Sequence, residues 1–99
     1  MKKAISLAKH AERAGDVPIG ACIIYNSKII VASGNRIIRD NDPTAHAEII
    51  VLRKAAKKLG TARLVNCDLY VTLEPCPMCA QAISFSFVLK IRYLRFGLI

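Results

Sequence analysis

In the opening stretch MKKAISLAKHAERAGD, apolar residues recur as Ile5, Leu7, Ala8, Ala11 and Ala14 on or near one helical stripe, and Gly15 stands where a helix over 2–14 would stop. The period then changes. IGACIIYNSKIIVASG carries two β-branched runs, Ile19–Tyr25 and Lys28–Ser33, on either side of Asn26-Ser27, and predicts a hairpin. NRIIRDNDP predicts a loop. From there Ala45, Ile49, Leu52, Ala56 and Leu59 return at helical spacing, with Arg53, Lys54, Lys57 and Lys58 on the outer face. Asp42 or Thr44 is the expected cap, Pro43 suits the first turn, and Gly60 ends the helix. CDLYVTL alternates Leu69, Val71 and Leu73 against Asp68, Tyr70 and Thr72, as a strand does. Pro75-Cys76-Pro77 turns it into a third helix running to about Phe85, and Val88–Phe96 predicts a last strand.

The resulting order is α-β-β-α-β-α-β. Its βαβ crossover requires a sheet with helices on both faces, so an α/β fold of three layers, α-β-α, with a mixed sheet is expected. No repeat, linker or low-complexity tract interrupts the chain, which predicts a single domain over 1–99.

Composition narrows the class. The chain is 54% hydrophobic and 22% charged, as a globular chain is, and no apolar run approaches the roughly 18 residues of a membrane span. The lysine-led N-terminus lacks the apolar core of a signal peptide, because Lys9, His10, Glu12 and Arg13 interrupt it, so a cytoplasmic helix is expected. Four cysteines in such a compartment, two of them spaced C-x-x-C, favour metal or redox chemistry over a disulfide scaffold. Fifteen Lys and Arg against seven Asp and Glu give a formal net charge of +8. That excess favours a polyanionic partner, since basic surfaces concentrate nucleic acid through phosphate contacts and counterion release.

His46, Cys76 and Cys79 are zinc-type ligands, and three protein ligands with a fourth position open is the stoichiometry of a catalytic zinc site. Cys22 and Cys67 fall inside apolar strand runs and read as buried small hydrophobes instead. Cys76 and Cys79 are expected at a helix's first turn, where the positive end of the dipole favours thiolates. A thioredoxin-like redox reading would leave Glu48 unexplained. Two positions beyond His46, its carboxylate is a poor second ligand but a suitable proton carrier for a metal-activated water.

His-Ala-Glu at 46–48 with Pro-Cys-Pro-Met-Cys at 75–79 resembles the signature of the zinc-dependent nucleobase deaminases. Over about residues 2–86 the surroundings DVPIGA, SGNR, DPTAHAE and LYVTLEPCPMCA are similar to the bacterial tRNA adenosine deaminases. Small tetrameric cytidine deaminases carry Cys where His46 stands, and riboflavin-pathway deaminases space their cysteines further apart. The resemblance implies the cytidine-deaminase-like fold and one zinc per chain, held by His46, Cys76 and Cys79. It further implies Glu48 as proton shuttle, Asn35 and the backbone of Ala47 as contacts to a flipped base, and Asp16 and Pro18 beside the pocket. The implied reaction is hydrolytic deamination of the wobble adenosine to inosine in a tRNA anticodon arm, by a homodimer. Departures lie at the end: FVLKIRYLRFGLI is longer than the family's usual segment and stops two residues past Gly97, so the expected domain lacks the last strand and C-terminal helices.

Two other readings stand beside this one. Free guanine and cytosine deaminases share H-A-E and P-C-x-M-C, although a small neutral substrate gives no reason for so basic a chain. A truncated, inactive zinc-binding relic is the third: intact ligands and Glu48 argue against long decay, while the missing tail argues for it.

Overall fold

The computed structural model describes residues 1–94. The order is α1 Lys2–Arg13, β1 Gly20–Tyr25, β2 Lys28–Gly34, α2 Ala47–Leu59, β3 Cys67–Val71, α3 Pro77–Ser86 and β4 Lys90–Tyr93. The strands form one mixed sheet in the order β2-β1-β3-β4, antiparallel except for the β3–β4 pair that the α3 crossover makes parallel. Seven elements therefore stand in the expected order. The end of the strand expected over Val88–Phe96 lies outside the described residues; within them β4 is short and exposed along its length.

The hairpin turns at Asn26 and Ser27, whose φ values of 51° and 63° match a two-residue turn with both central residues left-handed. Twist-matched in this way, β1 and β2 pair from Tyr25↔Lys28 to Gly20↔Gly34, with an irregularity between Ile23 and Ile24. One sheet face supplies Ala21, Ile23, Cys67, Leu69 and Val71 to a core completed by Ala47, Val51, Leu52 and Ala55 of α2 and Ile83 of α3. Gly60, at φ 71°, closes α2 in the left-handed conformation that expels most side chains.

The opposite face belongs to α1, and its packing follows a different rule. Its buried residues are Ala4, Ala8 and Ala11. The stripe thus starts one residue earlier than the sequence pattern indicates, while Ile5 and Leu7 are only half-buried and Ala14 is exposed. The reason is the register pair Gly20↔Gly34 beneath the helix. A Cβ on Gly20 would collide with the Ala4 carbonyl oxygen and lie 2.6 Å from the Ala8 nitrogen; one on Gly34 would lie 2.5 Å from the Leu7 carbonyl oxygen. Small residues on both sides let the helix backbone rest on the sheet backbone.

Three local expectations are corrected. The cap of α2 is His46, not Asp42 or Thr44. Asp42 Oδ1 instead accepts from the Thr44 N–H at 2.9 Å and the Thr44 hydroxyl at 2.8 Å, a local turn that competes with helix and delays its start past Pro43. The buried face of α2 is also wider than the predicted stripe, taking in Ala47, Val51 and Ala55, because the helix is wedged between the sheet and α3. Finally, β3 stops at Val71. Thr72, expected on the polar side, is fully buried and exchanges two bonds with Gly20: its hydroxyl accepts from the Gly20 N–H at 3.1 Å and its N–H donates to the Gly20 carbonyl at 3.0 Å. Leu73, expected inside, is exposed.

The segment leaving α1 is tied to the loop after β2 by Asp16, whose carboxylate accepts from the Ile38 N–H at 2.7 Å and from Arg39 Nε at 2.7 Å. Burial alone would raise this carboxyl, but the Ile38 N–H and then Arg39 outweigh it and hold the group below its ordinary 3.8.

Gly20→Ala is expected to destabilise the fold by about 3 kcal/mol or more, since the obstacle is helix backbone and cannot rotate away. Gly60→Ala, with open space around it, should cost about 1 kcal/mol. Urea midpoints of the two variants test the contrast, and comparable losses would remove the α1 packing argument. For Asp16 the sign is set by a depressed folded-state pKa: the carboxylate stabilises above the ordinary value and ceases to as the pH falls through the lowered one. Asp16→Asn should therefore lower the midpoint at neutral pH, and the gap should close in acid below 3.8. A gap that stays constant through the acid range would show that the charge is not its cause.

Candidate metal centre and proton carrier

α2 and α3 start side by side at the same end of the domain, and the chemistry lies where they meet. His46 is the N-cap of α2, with φ −70° and ψ 148°, and Cys76 is the N-cap of α3, with φ −70° and ψ 169°. Extended backbone at both positions swings the side chains off the helix axis, and neither makes a capping hydrogen bond. Cys79 lies in the first turn of α3 and is fully buried. His46 Nδ1 is 3.7 Å from Cys76 Sγ and 3.4 Å from Cys79 Sγ, and the three donor atoms all lie within 4.8 Å of one another. Ligands of a tetrahedral zinc, each about 2.0–2.3 Å from the ion, are roughly 3.5–3.8 Å apart. The donor set fits a zinc-type metal in number, kind and spacing.

A His at an N-cap position leaves orphan N–H groups that Ser, Thr, Asp or Asn would normally serve. Here Asn35, from the end of β2, serves one from outside: its Oδ1 accepts from the Ala47 N–H at 2.7 Å, and its own N–H donates to Ile19 at 2.9 Å. The imidazole is thereby left free for other work. In α3 the same problem is reduced by Pro77 at the first helical position, which has no N–H to satisfy.

Glu48 sits in the first turn of α2, 3% exposed, with Oε1 buried and without a hydrogen-bond partner. Burial pushes its carboxyl up, partly offset by the backbone N–H of its own residue, His46 and Cys79. Burial likewise raises the Cys79 thiol, with Glu48 and Cys76 adding to it. Without a cation, burial and the neighbouring Glu48 therefore both disfavour the Cys79 thiolate. A divalent cation reverses that logic, because thiolates bind it outright.

The other expected residues are placed as follows. Asn35 is 2% exposed and bonded to Ala47, so the two residues expected to meet a base are joined to each other. Asp16 has its carboxylate on Ile38 and Arg39. Pro18 is half-buried between α1 and β1. A groove of about 330 Å³ between α2 and α3 is lined by Ile49, Leu52, Ala56, Leu64, Ala82 and Phe85 among others, and none of the metal-type ligands or Glu48 borders it. Reading the sequence singled out neither Arg39 nor Thr72, because both make their bonds to residues distant in the chain or to backbone.

Comparison with known proteins agrees with this geometry. Residues 1–95 match the model of the cytidine and deoxycytidylate deaminase zinc-binding region. The chain is 50% identical over 97 residues to a protein of Buchnera aphidicola subsp. Schizaphis graminum named tRNA-specific adenosine deaminase, covering 98% of this chain and 62% of that one. It is 49% identical over 96 residues to a protein of the same name from Bacillus subtilis, covering 97% of this chain and 60% of the relative. The chain thus spans about three fifths of the length of these curated relatives. Among solved structures, one from work on A-to-I editing by tRNA:A34 deaminases superposes with a TM-score of 0.92 at 49% identity, over 94% of this chain and 72% of that one. A guanine deaminase from Bacillus subtilis superposes with a TM-score of 0.91 at 42% identity, over 95% and 60%. Matched over residues 1–95 and at about 50% identity to these relatives, the chain belongs to the family of the cytidine and deoxycytidylate deaminase zinc-binding region.

Proposed function

We infer that this chain is the zinc-dependent core of a deaminase that converts adenosine to inosine at the wobble position of tRNA. The observation that carries the reading is the unpartnered Glu48 Oε1, buried beside three converging metal-type donors. Relatives at about 50% identity bear the tRNA-specific name, which supports the substrate class. A net charge of +8 supports a polyanion over a free base. His46, Cys76 and Cys79 would hold the zinc, a Lewis acid that makes water available as a nucleophile near neutral pH.

The residues of this chain supply the rest. Glu48 Oε1 takes a proton from the attacking water, gives it to the purine ring nitrogen as oxygen adds at C6, and then carries the proton of the new C6 hydroxyl to the amine, so that the C–N bond breaks, ammonia leaves and the C6 carbonyl of inosine remains. Asn35 and the Ala47 backbone border the same step of chain and are the proposed contacts to the extruded base, with Asp16 and Pro18 in the adjoining wall. Extrusion is cheap in an anticodon loop that is already single-stranded. Action in the cytoplasm as a homodimer completes the proposal; the apolar groove between α2 and α3, with Phe85 70% exposed at its edge, supports a protein partner on that face.

Three measurements test the site. Chain purified without chelator is expected to carry one zinc, with X-ray absorption showing two sulfurs and a nitrogen, whereas four sulfurs or no metal would overturn the ligand assignment. Cys76→Ser should lose fold as well as metal, because binding and folding are linked. In the active protein Glu48→Gln should keep the zinc and lower inosine formation in an anticodon stem-loop by at least about 10²-fold. Retained turnover would remove Glu48 from the proton path, and deamination of guanine in preference to the stem-loop would replace the substrate.

A further inference from the structure

One polar path in the structure runs from the end of α1 to the start of α2, and a single side chain spans its middle. The Asp16 side chain is fully buried, and that of Arg39 is 20% exposed. Arg39 Nε donates to Asp16 Oδ2 at 2.7 Å, while Nη2 of the same guanidinium donates to the Asn35 carbonyl oxygen at 2.6 Å. From Asn35 the path continues through Oδ1 to the Ala47 N–H at 2.7 Å, and Ala47 lies between His46 and Glu48. The remaining Asp16 oxygen takes the Ile38 N–H at 2.7 Å, so the loop is gripped at Asn35, Ile38 and Arg39 at once.

We propose that Arg39 is a positioning residue: by joining the buried Asp16 carboxylate to the Asn35 carbonyl it holds the Asn35 side chain on the first N–H of α2, and so fixes the His46–Glu48 step of the site. The fork geometry of guanidinium is what the arrangement needs, because two acceptors in different directions are served by one rigid plane. Lysine offers a point charge that can answer Asp16 but not both acceptors together. The consequence for turnover rests on the deaminase reading above; the consequence for the α2 start does not.

Backbone amide exchange by NMR on the zinc-loaded chain separates these. Arg39→Lys is expected to keep the urea midpoint near that of the parent while the Ala47 amide exchanges faster, on the order of tenfold, the scale of one lost charge-assisted bond. Arg39→Met should show the same local loss with an added fall in stability, since Asp16 is left buried without its cation. On an anticodon stem-loop the Lys variant should lose kcat and keep KM. Unchanged Ala47 exchange in Arg39→Lys, faster exchange only in proportion to global destabilisation, or failure of that variant to fold would each reduce Arg39 to an ordinary ion-pair partner and overturn the proposal. A raised KM with normal kcat would overturn it in favour of direct RNA contact. Absence of inosine even with the parent chain would sink the deaminase reading and leave the exchange result to decide this one.

Discussion

Two helices beginning at one point is the constraint on which the chemistry depends. Each helix start presents unsatisfied N–H groups and the positive end of a dipole. Two positive ends are a poor match for a cation alone, but a metal held there would meet anionic donors: the Cys76 and Cys79 thiolates, with the Glu48 carboxylate beside them. The helix ends would stabilise those anions, and a bound cation would neutralise them. Using His46 and Cys76 as caps costs the helices their usual side-chain partners, and Asn35 and Pro77 offset that loss from outside and from within.

The sheet holds the arrangement from both sides by different physics. On the α2 and α3 face, branched and aliphatic side chains bury area in the ordinary way. On the α1 face, Ala4, Ala8 and Ala11 have little area to bury, so the helix gains contact by approaching the backbone at Gly20 and Gly34. Close approach is unforgiving of added atoms, and it fixes where α1 ends. That end delivers Asp16 to the loop carrying Arg39 and Asn35, so packing at the back of the sheet reaches the start of α2 and the candidate metal centre.

Fold and metal centre alone do not choose the substrate. A guanine deaminase superposes on this chain nearly as well as a tRNA:A34 deaminase does. What differs in kind between a free base and an anticodon loop is charge and size, and those are read outside the first ring of ligands. Among the described residues the ion pairs are Arg36–Asp40 and Arg39–Asp16, which leaves Arg53, Lys54, Lys57 and Lys58 on α2 without acidic partners. Such a field acts over several ångströms and would attract a polyanion ahead of any contact with a base.

Much of this was legible in the chain because it is local. The hairpin at Asn26-Ser27, the stop at Gly60, the crossover after β3 and the cysteine pair at a helix start all follow from neighbours within a few positions, where sterics and hydrogen bonding act directly. The grouping of His46, Glu48, Cys76 and Cys79 was legible for another reason: few chemistries need that set at that spacing. What tertiary structure decided lies at long range. The face of α1 is chosen by glycines in two strands, so a hydrophobic stripe drawn from Ile5 and Leu7 misses Ala4. Asp42 and Thr44 look like caps, but they bond each other, and Asn35 from another element does the capping. Thr72 falls on the polar side of an alternating pattern, yet it is buried because Gly20 presents it with two backbone partners. The contacts of Asp16 and Arg39 are equally beyond the sequence, since a buried charge is identified by its partners, and its partners are known only once the chain has folded around it.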